Sequence, residues 1–389
     1  MRQLRAPMGK IIVFVLLVLT VFIPLAFTVR LPVSAASGVT LSSSVQVSFP
    51  NSILFNVKAQ SDTNIVRLRL HYIVEQQNFA SVVSEGWPQF TPALSVDTQW
   101  LWDMRKSSLP PGARVQYWWT AEDAVGKSGE TDSAVVSFDD DRYEWQSITT
   151  DPVTLLWYRG DRAFADALMT AAKQGLERIE NDTGATPNAD VRIYIYASAH
   201  DLQGAQLFAP QWEGGVTFQG FNVIAIGVST SNLAYGQRTV PHELTHWIVG
   251  QITFNNYGAG LPTWLSEGLA TYGEGTLSPD YQAALNHAID KNLLISVRSL
   301  SSPFSAIPEE ALISYGESNS IVTFLIQEYG RDRMNQLLEV FHQGSGYDEA
   351  LQQVYGFDQD GLDALWRQNL RLTTAKSLLV EPLVVLASP

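Results

Sequence analysis

His242-Glu243-Leu244-Thr245-His246, followed by Trp264-Leu265-Ser266-Glu267-Gly268-Leu269-Ala270, decides how this chain is read. On a helix, His242 and His246 sit one turn apart on one face, so two imidazoles can converge on a single metal ion. Glu243, between them, can take a proton from a metal-bound water. Glu267 can be the third ligand, which leaves a fourth position for water. That is the arrangement of a catalytic zinc site rather than a closed structural one. The chain has only six histidines, so H-E-x-x-H is not a product of His-rich composition. His200, His287 and His342 have no ligand spacing.

With Glu267 placed twenty residues beyond His246, inside W-L-S-E-G-L-A, the pattern resembles the gluzincin metallopeptidases, and more closely their peptidase MA-like branch. The resemblance spans about residues 150–372. It implies His242, His246 and Glu267 as ligands of one Zn2+ per chain, Glu243 as catalytic base, and a zincin-like (thermolysin-like) fold. Ser314-Tyr315-Gly316-Glu317-Ser318 also resembles the helix of that family that opens with a tyrosine facing the metal. The G-x-M-E-N signature of the aminopeptidase branch is absent from the sequence, so amino-terminal recognition is not inferred.

The chain has 389 residues, enough for two domains and a targeting segment. Hydrophobic residues make up 46% and charged residues 16%, a balance that suits a folded protein with a large core. The net charge of −14 offers no basic stripe to neutralise phosphates, which excludes nucleic acid as the expected partner. Cysteine is absent, so there is no disulfide framework, thiolate metal site or cysteine nucleophile.

Arg2, Arg5 and Lys10 precede an uncharged run from Ile11 to Val29, a positive region followed by a hydrophobic one. Val33-Ser34-Ala35-Ala36 offers small residues for signal peptidase. Residues 1–37 are therefore expected to be a signal peptide or an N-terminal membrane anchor. Either way the remainder is exported, and localisation is extracytoplasmic, secreted or membrane-anchored.

From Gly38 to Tyr143 the pattern is β. In Ile65–Tyr72, alternation places Val66, Leu68 and Leu70 on one face. Val45–Phe49, Ile53–Val57, Gln99–Met104, Val115–Thr120 and Ala134–Phe138 read as further strands. Short strands at this spacing predict a β-sandwich over residues 38–146, similar to immunoglobulin or fibronectin modules; its ligand is not readable. Composition changes near Ser147–Pro152, and residues 147–373 are expected to be the metallopeptidase domain, with 374–389 a tail. There, Arg162–Arg178 predicts an amphipathic helix, Val191–Tyr196 a strand, and Val223–Val228 the strand at the rim of the cleft. The zinc helix is expected from near Thr239 to Gly250 with Pro241 in its first turn. Helical spacing dominates the remainder, so the fold class is α+β.

The expected activity is hydrolysis of peptide bonds in a peptide or protein substrate by a Glu243-activated zinc-bound water. Tyr315 is the candidate donor to the developing oxyanion, with Tyr272 a weaker alternative, and Thr271 a candidate partner for a ligand imidazole. The alternative is a cell-surface binding or adhesion protein whose zincin domain holds zinc without turnover or with very narrow specificity. The intact Glu243 argues against it, since a purely structural site needs no base.

Overall fold

Alternation of apolar and polar residues builds the first third of the protein as one seven-stranded sheet: β1 (Thr40–Ser48), β2 (Ser52–Val74), β3 (Ser84–Gly86), β4 (Ala93–Asp103), β5 (Ala113–Asp123), β6 (Ser128–Glu130) and β7 (Ala134–Phe138). The computed structural model describes residues 38–77, 80–206, 214–255, 257–258 and 260–380, the side chains to residue 371. The targeting segment expected over residues 1–37 and the tail from residue 381 lie outside them.

Two strands expected over Ile53–Val57 and Ile65–Tyr72 are one. β2 pairs with β1 and β4 through its first half, and with β3 and β5 through its second. The polar residues Ser61-Asp62-Thr63-Asn64, which suggest a turn by composition, mark where β2 passes from one ladder to the next. A register shift between Ile65 and Arg67 follows. It turns Ile65 inward and leaves Val66 44% exposed, although the alternation had placed Val66 beside Leu68 and Leu70. The tryptophans split in the same way. Trp119 is fully buried, whereas Trp87 is 53% exposed, with the Arg69 guanidinium 4.5 Å over its ring.

A second sheet follows, in the order β11-β12-β10-β9-β8: β8 (Gln146–Thr150), β9 (Val153–Trp157), β10 (Val191–Tyr196), β11 (Gly215–Phe218) and β12 (Val223–Gly227). The central strands β9, β10 and β12 are parallel, and β8 and β11 flank them antiparallel. Parallel central strands are covered on both faces, which is why they read as continuous apolar runs. Ile193 and Ile195 of β10 enter a core shared with the helices. Tyr194 and Tyr196, on the opposite face, join the core of the first sheet.

The helices are α1 (Arg162–Thr183), α2 (Ala199–Gln203), α3 (Leu233–Thr253), α4 (Thr263–Gly273), α5 (Pro279–Lys291), α6 (Val297–Leu300), α7 (Pro308–Tyr329), α8 (Arg331–His342), α9 (Tyr347–Tyr355) and α10 (Gln359–Val380). Asp161 caps α1 by accepting from the Phe164 amide at 2.9 Å, and Gly184 ends it in the left-handed conformation. The mixed α+β class with a helical C-terminal half agrees with the expectation. α10 runs on to Val380, past the Leu372 at which the sequence pattern ends.

The metal-motif helix differs from its expected bounds. α3 begins at Leu233, so Pro241 stands in its interior rather than its first turn. A mid-helix proline loses one amide hydrogen bond. Packing keeps the helix intact around it: the Pro241 ring seats on Gly175 of α1, where a Cβ would come within 2.3 Å of Pro241 Cβ. No described helix is long and apolar enough to cross a membrane.

Candidate active site

α3 and α4 run side by side, which sets Glu267 across from the two imidazoles. Gly268 allows the other side of α4 to approach α7 closely, since a Cβ there would stand 2.5 Å from the Ser318 carbonyl oxygen. Glu267 Oε2 lies 3.5 Å from Nε2 of His242 and 3.5 Å from Nε2 of His246. The imidazole rings are 4.9 Å apart at 77°. One atom from each of the three residues falls in a cluster no wider than 4.8 Å, and among the described residues this is the one His/Asp/Glu group of that kind. Ligand atoms on a tetrahedral ion at zinc–nitrogen distances are separated by about 3.3 Å, so this donor set fits zinc with little adjustment.

The electrostatics favour a cation at the same point. Burial works against a charge on His242, but hydrogen bonds to Glu267 and Glu274 outweigh it and push its pKa up to about 10. Burial likewise opposes ionisation of Glu267, yet the His246 and His242 charges hold its carboxyl far below the usual range. A metal ion satisfies the field that otherwise calls for a proton.

Each of the two histidines has its second nitrogen engaged. His242 Nδ1 donates to Glu274 Oε1 at 2.8 Å, which leaves Nε2, on the Glu267 side, as the nitrogen that a metal ion would take in place of a proton. Ser266 Oγ lies 3.2 Å from His246 Nδ1. Thr271, the expected partner, donates back to the Glu267 carbonyl at 2.8 Å within its own helix and reaches neither ring. Glu274, at the C-cap of α4, carried no motif in the sequence. Its position seven residues after Glu267, two helical turns on the same face, is the signal that could have found it.

Glu243 is 8% exposed beside the two imidazoles. The Thr217 hydroxyl donates to Glu243 Oε2 at 2.7 Å and lies 2.9 Å from its carbonyl oxygen. Thr217 belongs to β11, which occupies the edge of the sheet. The rim strand is therefore β11, not the expected Val223–Val228. β12 lies between β10 and β11 and is buried along its whole length.

Tyr315, on α7, enters the site with its ring centroid 6.5 Å from that of His242. It stacks on Tyr281 at 5.3 Å and meets Phe304 edge-on at 5.2 Å. Burial, then the negative charge of Glu267, push the pKa of its hydroxyl well up, so it stays a hydrogen-bond donor. Tyr272 is excluded from that task, because its hydroxyl donates to Asp182 at 2.9 Å. Tyr281, which the sequence did not single out, lines the cleft with Tyr315. His200, His287 and His342 stand apart on α2, α5 and α8. The cleft has a volume of about 630 Å³. Among the described residues its lining holds the carboxylates of Glu243, Glu267, Glu274 and Asp280, with the Arg238 guanidinium.

Residues 171–372 match the model of the Peptidase MA superfamily, just over half of the chain, and the chain belongs to that superfamily. Membership points to a peptidase, and the His-His-Glu group is one that can hold a metal ion. No curated protein matches the chain. Among solved structures it is similar to Spo0M, the sporulation control protein of Bacillus subtilis, at 10% identity over 35% of this chain and 55% of that one, with a TM-score of 0.17. The chain thus spans about half the length of Spo0M. A polysaccharide deacetylase from Bacillus cereus matches at 12% identity over 62% and 79% of the two chains (TM-score 0.19). An aminopeptidase N family protein from Idiomarina loihiensis matches at 10% identity over 85% and 70% (TM-score 0.26). At these TM-scores none of the three defines the architecture, and the assignment rests on the family model.

Proposed function

We propose that this protein is an exported zinc metallopeptidase of the gluzincin type. The observation that carries the reading is the convergence of His242, His246 and Glu267 on one point, beside Glu243, in a cleft of a Peptidase MA superfamily chain. His242, His246 and Glu267 would hold Zn2+. When bound, the ion supplies a Lewis acid for the scissile carbonyl and makes hydroxide available near neutral pH. Glu243 accepts the proton of the attacking water and delivers it to the leaving amine. The Tyr315 hydroxyl donates to the oxyanion that forms as the carbonyl carbon becomes tetrahedral. Glu274 and Ser266 keep the two imidazoles turned toward the metal position.

Residues 147–373 form the zincin-like catalytic domain in this reading, and residues 38–146 a β-sandwich module related to immunoglobulin or fibronectin domains. The passage of β2 between two ladders around one aromatic core supports the second assignment. Export, by a cleaved signal peptide or an uncleaved anchor, rests on Arg2, Arg5 and Lys10 ahead of the apolar run and on the small residues after it. The substrate is a peptide or protein met outside the cytoplasm.

The test is zinc content and cleavage of a peptide library, comparing the wild type with Glu243→Gln. One zinc per chain in both, with cleavage in the wild type alone, is the expected result. Zinc in both and cleavage by neither would favour the binding-protein alternative, and absence of zinc would overturn the site.

A further inference from the structure

Both carboxylate oxygens of Glu243 meet β11, and they meet it through two residues on one face of the strand. Gly215 and Thr217, two positions apart, turn toward α3, whereas Val216 and Phe218 between and beyond them pack with the core of the first sheet. The Thr217 hydroxyl is 2.7 Å from Glu243 Oε2. At Gly215 there is room for Oε1 only because no side chain is present: a Cβ would stand 2.8 Å from Oε1 and 3.1 Å from Cγ of Glu243. Gly215 and Thr217 thus form a slot and a clasp around a single carboxylate.

We propose that Thr217, with Gly215 beside it, is the positioning element for Glu243, so that the edge strand sets where the base stands. A free glutamate side chain turns about three bonds, and proton transfer depends on its carboxylate being held within hydrogen-bond reach of the reacting water. The hydroxyl suits both protonation states. It has one proton and two acceptors within reach, Oε2 at 2.7 Å and the Glu243 carbonyl oxygen at 2.9 Å. While Glu243 is a carboxylate, Thr217 donates to it. Once Glu243 carries a proton, the hydroxyl can turn to the carbonyl oxygen and accept from the carboxyl group. The carboxyl is held in place through the whole cycle, without change of rotamer. The catalytic meaning of this assignment rests on the proposed peptidase activity; the positioning itself is a statement about Glu243.

The experiment uses the full-length chain, purified in detergent with zinc. Thr217→Val removes the hydroxyl at nearly constant shape, and Thr217→Ser keeps it. On the best library peptide, Thr217→Val is expected to lower kcat roughly 30-fold with KM changed less than about twofold, while Thr217→Ser stays within about threefold of wild type. Zinc content is unchanged in both. Thr217→Ala replaces the valine variant if that protein does not fold. Equal losses for valine and serine, or wild-type kcat in the valine variant, would overturn the assignment, because the role would then be packing or nothing. Crystal structures provide a readout independent of turnover: the Glu243 carboxylate is expected to leave β11 in Thr217→Val, and finding it in place also overturns the proposal. If the wild type cleaves no peptide but Glu243 is displaced in the variant, the peptidase reading fails and the positioning assignment stands.

Discussion

Buried acid groups are handled differently in two regions of the molecule. Where the two sheets meet, Asp140 is fully buried and completely paired. Arg142 donates to both of its oxygens, at 2.8 and 2.6 Å, and the Tyr196 hydroxyl donates to Oδ2 at 2.9 Å. In the cleft, Glu243, Glu267 and Glu274 converge with no lysine or arginine bonded to any of them among the described residues; their partners are Thr217 and two neutral-capable imidazoles. A paired buried carboxylate is part of the scaffold. A group of them whose bonded partners carry no charge other than that of two imidazoles is a site at which a cation can replace the imidazole protons. A third solution appears on α7, where Glu317 is fully buried and accepts the Ile295 amide on both oxygens at 3.1 Å. Burial pushes its pKa up to about 8 against the opposing pull of those hydrogen bonds and of Arg367, so it is kept neutral by its own proton.

Breaking the two clusters should give opposite phenotypes. Glu243→Gln should lower kcat by about 10³-fold while zinc content and melting temperature hold, as single-turnover kinetics and metal analysis would show. Asp140→Ala should do the reverse, costing about 3–4 kcal/mol in denaturant unfolding because it strands the Arg142 charge and the Tyr196 hydroxyl, with the zinc stoichiometry of the folded protein intact. Loss of zinc in the Asp140 variant under folding conditions would mean that the two regions are not separable.

Glu317→Gln sharpens the third case through pH. The folded pKa of about 8 lies above the ordinary value of 4.5, so the native state binds a proton that the unfolded chain has released. The contribution is fully present below about 4.5 and is lost as pH rises through about 8. Between pH 5 and pH 8 the wild type should therefore lose on the order of 3 kcal/mol relative to the glutamine variant, measurable by urea unfolding at each pH. A difference that does not change with pH would show that Glu317 is ionised in the native state. The smallest effect is expected at Glu274→Gln. Its amide still accepts the His242 proton but without charge, so zinc affinity should fall about tenfold in competition with a chelator, with stability little changed.

The parts of the site that were legible are those whose partners are close in sequence. His242, Glu243 and His246 lie within five residues, and a helix of fixed pitch dictates that the two rings share a face. Glu267 is legible as a third ligand from the chemistry of the site, and the resemblance supports it, whereas Tyr315 leans on the resemblance. Glu274 could have been read from helical spacing, but an isolated acidic residue at a helix end has many commoner explanations. Pro241 misled about the start of α3, because a proline's preference for the first turn is local, while the seat against Gly175 that tolerates it mid-helix is tertiary.

The rim of the cleft shows the same division. The most apolar stretch before the motif, Val223–Gly227, drew the assignment of rim strand because continuous hydrophobicity is conspicuous. That property instead marks β12 as interior, covered on both faces. The strand that reaches Glu243 is Gly215-Val216-Thr217-Phe218, which is partly exposed throughout and alternates too briefly to stand out. Sequence alone determined the chemistry offered at positions 242, 243 and 246, because helix geometry converts spacing into direction. Which strand lies at the edge, which carboxylate braces His242 and which hydroxyl holds Glu243 were decided only by the tertiary structure, because each depends on strand order or helix packing that no local spacing encodes.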